Sequence, residues 1–175
     1  MAVMLNELNV PVRGQSGSDV FLRVQTKRAG KIKGESTSLG HEEDIIVERW
    51  QWGLTASSAI GNTQATSRRS YSALTVHKRI DSATTALMSA LATNDEVKEA
   101  KLTMRKAGGE QNDYFVITLK GARISGVTHS TGSDGETAEI VAIVFTKVEV
   151  EYKPQKSTGI KGGSMTFTDE LVESA

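Results

Sequence analysis

The sequence predicts a mainly β fold, a β-barrel of two antiparallel sheets with one flanking α-helix. Three features carry that expectation. Apolar and polar residues alternate over most of the chain, the period of a strand with one buried face. Polar turns, several of them rich in glycine, separate the alternating runs. Helical spacing is confined to one stretch. The size agrees: 175 residues, 38% hydrophobic and 24% charged, lie in the range of an ordinary globular domain. A chain this long buries roughly 70% of its unfolded surface and needs no disulfide or metal to hold a core. Residues 1–19 are expected to be a flexible amino-terminal arm, since Gly14, Gln15, Ser16, Gly17 and Ser18 offer little to bury, and residues 20–175 a single domain.

In chain order, Val20 to Gln25 is the first strand candidate. Asp44 to Leu54 is the second, with Ile46, Trp50, Trp52 and Leu54 expected on one face. Ser70 to Lys78 continues the pattern through Leu74 and Val76. The helix is predicted over Ser82 to Thr93: Asp81 or Ser82 caps it, Ala83, Ala86, Leu87, Ala90 and Leu91 form its apolar stripe, and Asn94 stops it. Lys101 to Lys106 then reads as a half-buried strand and Tyr114 to Lys120 as its return, with Gly108 and Gly109 in the turn. Ala122 to His129 and Ala138 to Lys153 are joined by the polar segment Ser130 to Thr137, and Ser164 to Thr168 is the last strand. No repeat of 20 to 50 residues is visible, which excludes a solenoid or propeller.

One run breaks the alternation: Ile140, Val141, Ala142, Ile143, Val144 and Phe145 are apolar on both faces. It is either a central strand covered on both sides or a subunit contact. The stretch from Leu54 to Arg69 is too long for a tight hairpin and too small in its side chains for a core.

Composition removes several functions. With 21 basic and 21 acidic residues and only 5% aromatics, the chain lacks the footprint of a nucleic-acid binder. It holds no cysteine, hence no thiolate site. No apolar run reaches the length of a signal peptide or a membrane span, so a cytoplasmic chain with no membrane insertion is expected. The three histidines, His41, His77 and His129, lack the spacing of a zinc site, and no Gly-x-Ser-x-Gly or phosphate-binding loop is present. His41, followed by Glu42, Glu43 and Asp44, reads as a solvated acidic turn; carboxylates in general fall on predicted turns and outer faces. Trp50 and Trp52 read as core residues rather than a sugar platform. No catalytic residue, cofactor or metal is expected.

A set of blocks then carries a resemblance. They are Lys31-Ile32-Lys33-Gly34-Glu35-Ser36, His41 with Ile45, Trp50-Gln51-Trp52-Gly53, and Lys78-Arg79-Ile80-Asp81 leading to Thr84, Leu87 and Met88. Ala100-Lys101-Leu102-Thr103, Arg105 to Glu110, Tyr114 with Ile117 to Lys120, Ser125, and Tyr152-Lys153-Pro154-Gln155 follow in order. From about Val20 to Thr168 the chain resembles Hcp, the haemolysin-coregulated protein family of type VI secretion. The stretch before Val20 is longer than the family's usual leader, and 53–69 keeps the family's small-residue character without matching it residue for residue.

The resemblance implies a structural subunit, not an enzyme. It implies a homo-hexamer with ring stacking into a hollow tube, a spike protein at the tip, a surrounding contractile sheath, small effector proteins in the lumen, and secretion through the apparatus without a signal peptide. A ring needs two different patches per subunit; the expected contacts are Leu54, Ile60, Arg68 and Arg69 on the loop and Val141, Ile143 and Phe145 on the apolar strand. Arg68 and Arg69 are paired in this reading with Glu42, Glu43 or Asp44 of a neighbour. The alternatives are a phage tail tube subunit and, from another class, a small-molecule or sugar-binding barrel with an apolar cavity.

Overall fold

The computed structural model describes residues 17–57, 68–107, 112–154 and 163–171. It holds β1 (Ser18–Thr26), β2 (Gly30–Ile32), β3 (Ile45–Val47), β4 (Arg49–Gln51), β5 (Leu54–Ser57), β6 (Arg68–Tyr71), β7 (Leu74–Arg79), α1 (Thr84–Ala92), β8 (Val97–Lys106), β9 (Asp113–Thr131), β10 (Thr137–Val144), β11 (Lys147–Tyr152) and β12 (Met165–Glu170). Every strand pairing among the described residues is antiparallel. The mainly β fold, with one helix among the described residues, is as the sequence predicts, although the described strands do not close into a complete barrel.

Strand β9 makes the two sheets. Its first half pairs with β8 and β11, its second half with β10. The bend falls at Gly121, where φ is 53° and a Cβ would lie 2.2 Å from the Thr146 hydroxyl. Only glycine tolerates both conditions. Thr146 is the break between β10 and β11, so the neighbouring strand turns at the same level and the ladder folds over as a unit. Sequence periodicity divides β9 at Gly121 and reads β10–β11 as one strand, whereas the inward phase slips by one residue at both bends, from Leu119 to Ala122 and from Phe145 to Val148.

Inward side chains from both sheets form the core: Leu22, Val24, Leu74, Val76, Leu102, Ile117, Leu119, Val141, Ile143 and Val148 are fully buried. The helix closes this core with Ala83, Leu87 and Ala90, leaves Leu91 at the surface, and ends at Asn94 with φ of 52°. Asp81 does not cap α1 itself; its carboxylate accepts the Ala83 amide in the preceding turn, at 2.9 Å.

Three expectations about faces are corrected. Asp44 to Leu54 is not one strand: the chain breaks at Glu48, so Ile45 and Val47 point inward while Ile46 and Leu54 are exposed, and Trp50 and Trp52 pack half-buried against the core. Slipping one residue exchanges the two faces of a strand. Strand β8 is buried on both faces around Thr103 and Arg105 because the segment 33–44 folds across it. Gly34 makes that possible, since a Cβ there would lie 2.4 Å from the Asp44 carbonyl oxygen. The run Ile140 to Phe145 is not buried on both faces: Val141, Ile143 and Phe145 face the core, whereas Val144 is 43% exposed. Ser18 and Asp19, expected in the arm, pair with Lys106 and Arg105 in β1 and β8. The rest of the expected arm, 1–16, lies outside the described residues.

Candidate functional site

Strands β5 and β6 pair with each other and belong to neither large sheet, so they project as a two-stranded arm. Small and polar residues suit that role, since a hairpin without a covered face has nothing to bury. The arm is held at its root. Gly53 and Ser72 exchange backbone and side-chain hydrogen bonds, Trp52 stacks on Tyr71 at 5.7 Å between ring centres, and Phe145 meets Tyr71 edge-on at 5.5 Å. A lock to β12 completes it. The Arg69 guanidinium forks onto Asp169, with Nη2 donating to Oδ1 at 2.9 Å, and the Tyr71 hydroxyl donates to Asp169 Oδ2 at 2.6 Å. Burial, then the Asp169 carboxylate, push the Tyr71 phenol up to about 12, and Arg69 holds Asp169 below the usual carboxylate range.

A second feature lies next to this lock. Strand β12 pairs with β11 alone among the described strands, and its inward face runs past the end of the core. Met165 and Phe167 on β12 are 65% and 43% exposed, and Tyr152, the partner of Met165 on β11, is 41% exposed. Apolar side chains aligned this way on one sheet end form a patch suited to another protein surface.

Of the expected contact residues, Leu54 is exposed at the root of the arm, opposite Tyr71, and Arg69, farther out and opposite Ala56, is already paired within its own chain. Arg68 is placed on β6, and Ile60 lies outside the described residues. Val141 and Ile143 have no exposed surface and Phe145 retains 9%, so the apolar contribution of β10 to any outside contact rests on its other face, Ile140, Ala142 and Val144. Asp44 is unavailable to a neighbour. It is 1% exposed and is held by Arg23 at 2.8 Å and Lys31 at 3.2 Å.

The expectation of a solvated turn at His41 is overturned as well. Its ring is buried, stacked on Phe21 at 4.3 Å, with Nδ1 2.9 Å from Asp44 and Nε2 3.1 Å from Asp113. Arg105 donates to Asp113 and to the Leu39 carbonyl, at 3.0 and 2.7 Å. These bonds fasten the segment 33–44 to the outer face of β1 and β8. A second buried group sits on the other sheet, where Lys78 and Glu139, both fully buried, pair at 2.9 Å. Apolar periodicity does not reveal either group, because charged residues within alternating runs read as outward-facing. Among the described residues no cluster of three or more His, Cys, Asp or Glu is arranged to hold a metal.

The matched family is described as type VI secretion system effector, Hcp, and its model aligns with residues 21–152. The chain belongs to the Hcp family. Protein hcp1 of Pseudomonas aeruginosa is 38% identical over 149 residues, covering 83% of this chain and 89% of that protein. The crystal structure of Hcp1 from Salmonella typhimurium superposes with a TM-score of 0.70 at 26% identity, covering 88% of this chain and 95% of that one. A structure described as a type six secretion system protein gives 0.78 at 23% identity, covering 89% and 96%, a likeness of fold. Membership of the Hcp family thus rests on the sequence, and the fold agrees with it. No helix among the described residues is long and apolar enough to cross a membrane.

Proposed function

We propose that this Hcp-family chain is a non-enzymatic tube subunit that closes into hexameric rings, which stack into a hollow conduit. The observation that carries this reading is the pairing of two unfinished features on one subunit: a self-paired arm at Leu54–Ser57 and Arg68–Tyr71, and an uncovered apolar end at Tyr152, Met165 and Phe167. Head-to-tail closure requires two different patches that meet across each boundary. The apolar end supplies one, and the outward residues Ile140, Ala142 and Val144 of β10 supply a candidate for the other. The arm reaches toward the adjacent ring, with Arg68, opposite Ser57 at the outer end of the described ladder and beyond the Arg69–Asp169 lock, set against Glu42 or Glu43 of a neighbour. In the assembled apparatus the tube runs inside a contractile sheath, bears a spike protein at its tip, holds small effector proteins in its lumen, and leaves the cell without a signal peptide.

Shortening the arm between Ser57 and Arg68 tests the division of labour. Sedimentation of the purified protein is expected to show intact rings with loss of longer stacks. Normal tubes from the shortened protein would remove the arm from the assembly, and monomers alone would show that it closes the ring instead.

A further inference from the structure

The buried polar group on the second sheet has a geometry that ring assembly does not explain. His129, Glu139 and Lys78 are register partners on β9, β10 and β7, a single row across three strands. Glu139 accepts from Lys78 Nζ at 2.9 Å through Oε1 and, through Oε2, from the Thr84 hydroxyl at 2.7 Å. His129 Nε2 lies 3.1 Å from Oε2. Lys78 is fully used too, on Glu139, on Asp81 at 2.8 Å, on the Arg79 carbonyl at 3.0 Å and on the Thr84 hydroxyl at 3.3 Å. Thr84 is the first residue of α1 and is buried, and its hydroxyl also accepts the Asp81 amide at 3.1 Å. One carboxylate therefore joins the start of the helix to two strands.

We propose that Glu139, Lys78, His129, Asp81 and Thr84 form an acid-sensitive clasp that docks the amino-terminal end of α1 on the second sheet and opens when Glu139 takes up a proton. The groups facing Glu139 from each packed element are Lys78 on β7, His129 on β9, and Thr84 with Asp81 at the helix entry. Arg79 turns to the opposite face, toward Glu48 and Glu136. Lys78 Nζ and the Thr84 hydroxyl both donate to the carboxylate, so protonation removes the charge that these bonds rest on and leaves the buried ammonium of Lys78 with Asp81 as its one anionic partner among the described residues. An ion pair stripped of one partner in the interior is strongly unfavourable, whereas replacing both partners by apolar groups is often neutral. His129, with its side chain 34% exposed, gives the otherwise sealed group an edge on solvent.

The sign follows from the direction at Glu139. Burial alone would raise its pKa, but bonds from Thr84, Lys78 and His129 outweigh that and hold the carboxyl below its ordinary value. A carboxyl depressed on folding stabilises fully above its unfolded value and loses that contribution as pH falls through the folded one. The clasp is closed at neutral pH and opens in acid.

Amide hydrogen exchange, corrected for intrinsic rates, reads this directly on the full chain. Between about pH 7 and pH 3, protection of Thr84–Ala92 is expected to fall roughly ten-fold or more beyond that of Leu22 and Leu102 in the core. The double substitution Lys78→Met with Glu139→Leu is expected to abolish that excess. Glu139→Gln, which fixes the neutral form, is expected to loosen α1 selectively at neutral pH. The proposal is overturned if the wild-type helix keeps pace with the core strands, or if the double variant keeps the acid dependence. Should the double variant not fold, a Glu139→Gln protein whose helix is as protected as wild type at neutral pH overturns it equally.

Discussion

Two ends of the same inward face behave in opposite ways. Leu102, Ile117, Val150 and Phe167 are register partners across β8, β9, β11 and β12; Leu102 and Ile117 are fully buried, Val150 half-buried, and Phe167 43% exposed. In the next row, Met104 is 5% exposed while Tyr152 and Met165 are 41% and 65% exposed. The strands and the chemistry are the same; what changes is whether the chain has anything left to lay over them. Periodicity assigns a face to a residue, but coverage is a property of the assembled fold, and at β12 this fold stops before the face does.

Substitutions on the covered side should therefore cost folding, and those on the uncovered side only association. The largest loss is expected for Ile143→Asp, which puts a carboxylate among fully buried apolar groups. A loss of about 4 kcal/mol or more is expected, with the far-ultraviolet circular dichroism of an unfolded chain. Rings with an unchanged fold would contradict its inward placement.

Asp44→Asn comes next, at about 2 kcal/mol, because Arg23 and Lys31 lose their anion in a buried setting. Burial would raise the Asp44 carboxyl, but hydrogen bonds from Arg23 and His41 override it and hold the group below its usual range. Its stabilisation is complete above the ordinary carboxylate value and fades as pH falls through the depressed one. Denaturant titrations at several pH values should show wild type losing stability in acid and the variant losing less of it.

Phe167→Asp marks the contrast from the uncovered side. Stability is expected to change by less than about 1 kcal/mol, because the side chain is already partly in water. Ring formation is expected to fail by size-exclusion chromatography. A variant that unfolds would show that Phe167 belongs to the closed core.

The smallest effect sharpens the boundary between the two regions. Asp169→Asn removes the carboxylate that, after burial, pushes the Tyr71 phenol up to about 12. Ultraviolet titration should move Tyr71 part of the way toward about 10, the ordinary tyrosine value. An unmoved titration would show burial alone to be responsible.

The fold was largely legible in the sequence, and the particular misreadings have physical causes. Val20 to Gln25, Leu74 with Val76, the helix and its stop at Asn94, and the last strand all show as single periods with local punctuation. The phase beyond Glu48 is not legible because a break adds no composition signal while exchanging faces. The apolar strand was half legible: it is a central strand with its odd-numbered side inward, but its even-numbered side is not sealed by the helix. Lys78, Glu139, Asp44 and His41 were invisible as buried groups, because their partners come from other elements: β10 for Lys78, β1 and β2 for Asp44, and β9 for His41. The β12 patch is not legible in the sequence because Met165 and Phe167 continue an ordinary strand alternation, and nothing local says that the neighbouring surface is missing.

Electron microscopy of the purified, untagged protein over a range of concentrations measures the unfinished end most directly. Hexameric rings with an open centre, stacking into tubes as concentration rises, are the expected result. Particles that remain monomeric at high concentration, with Tyr152, Met165 and Phe167 still in water, would contradict it.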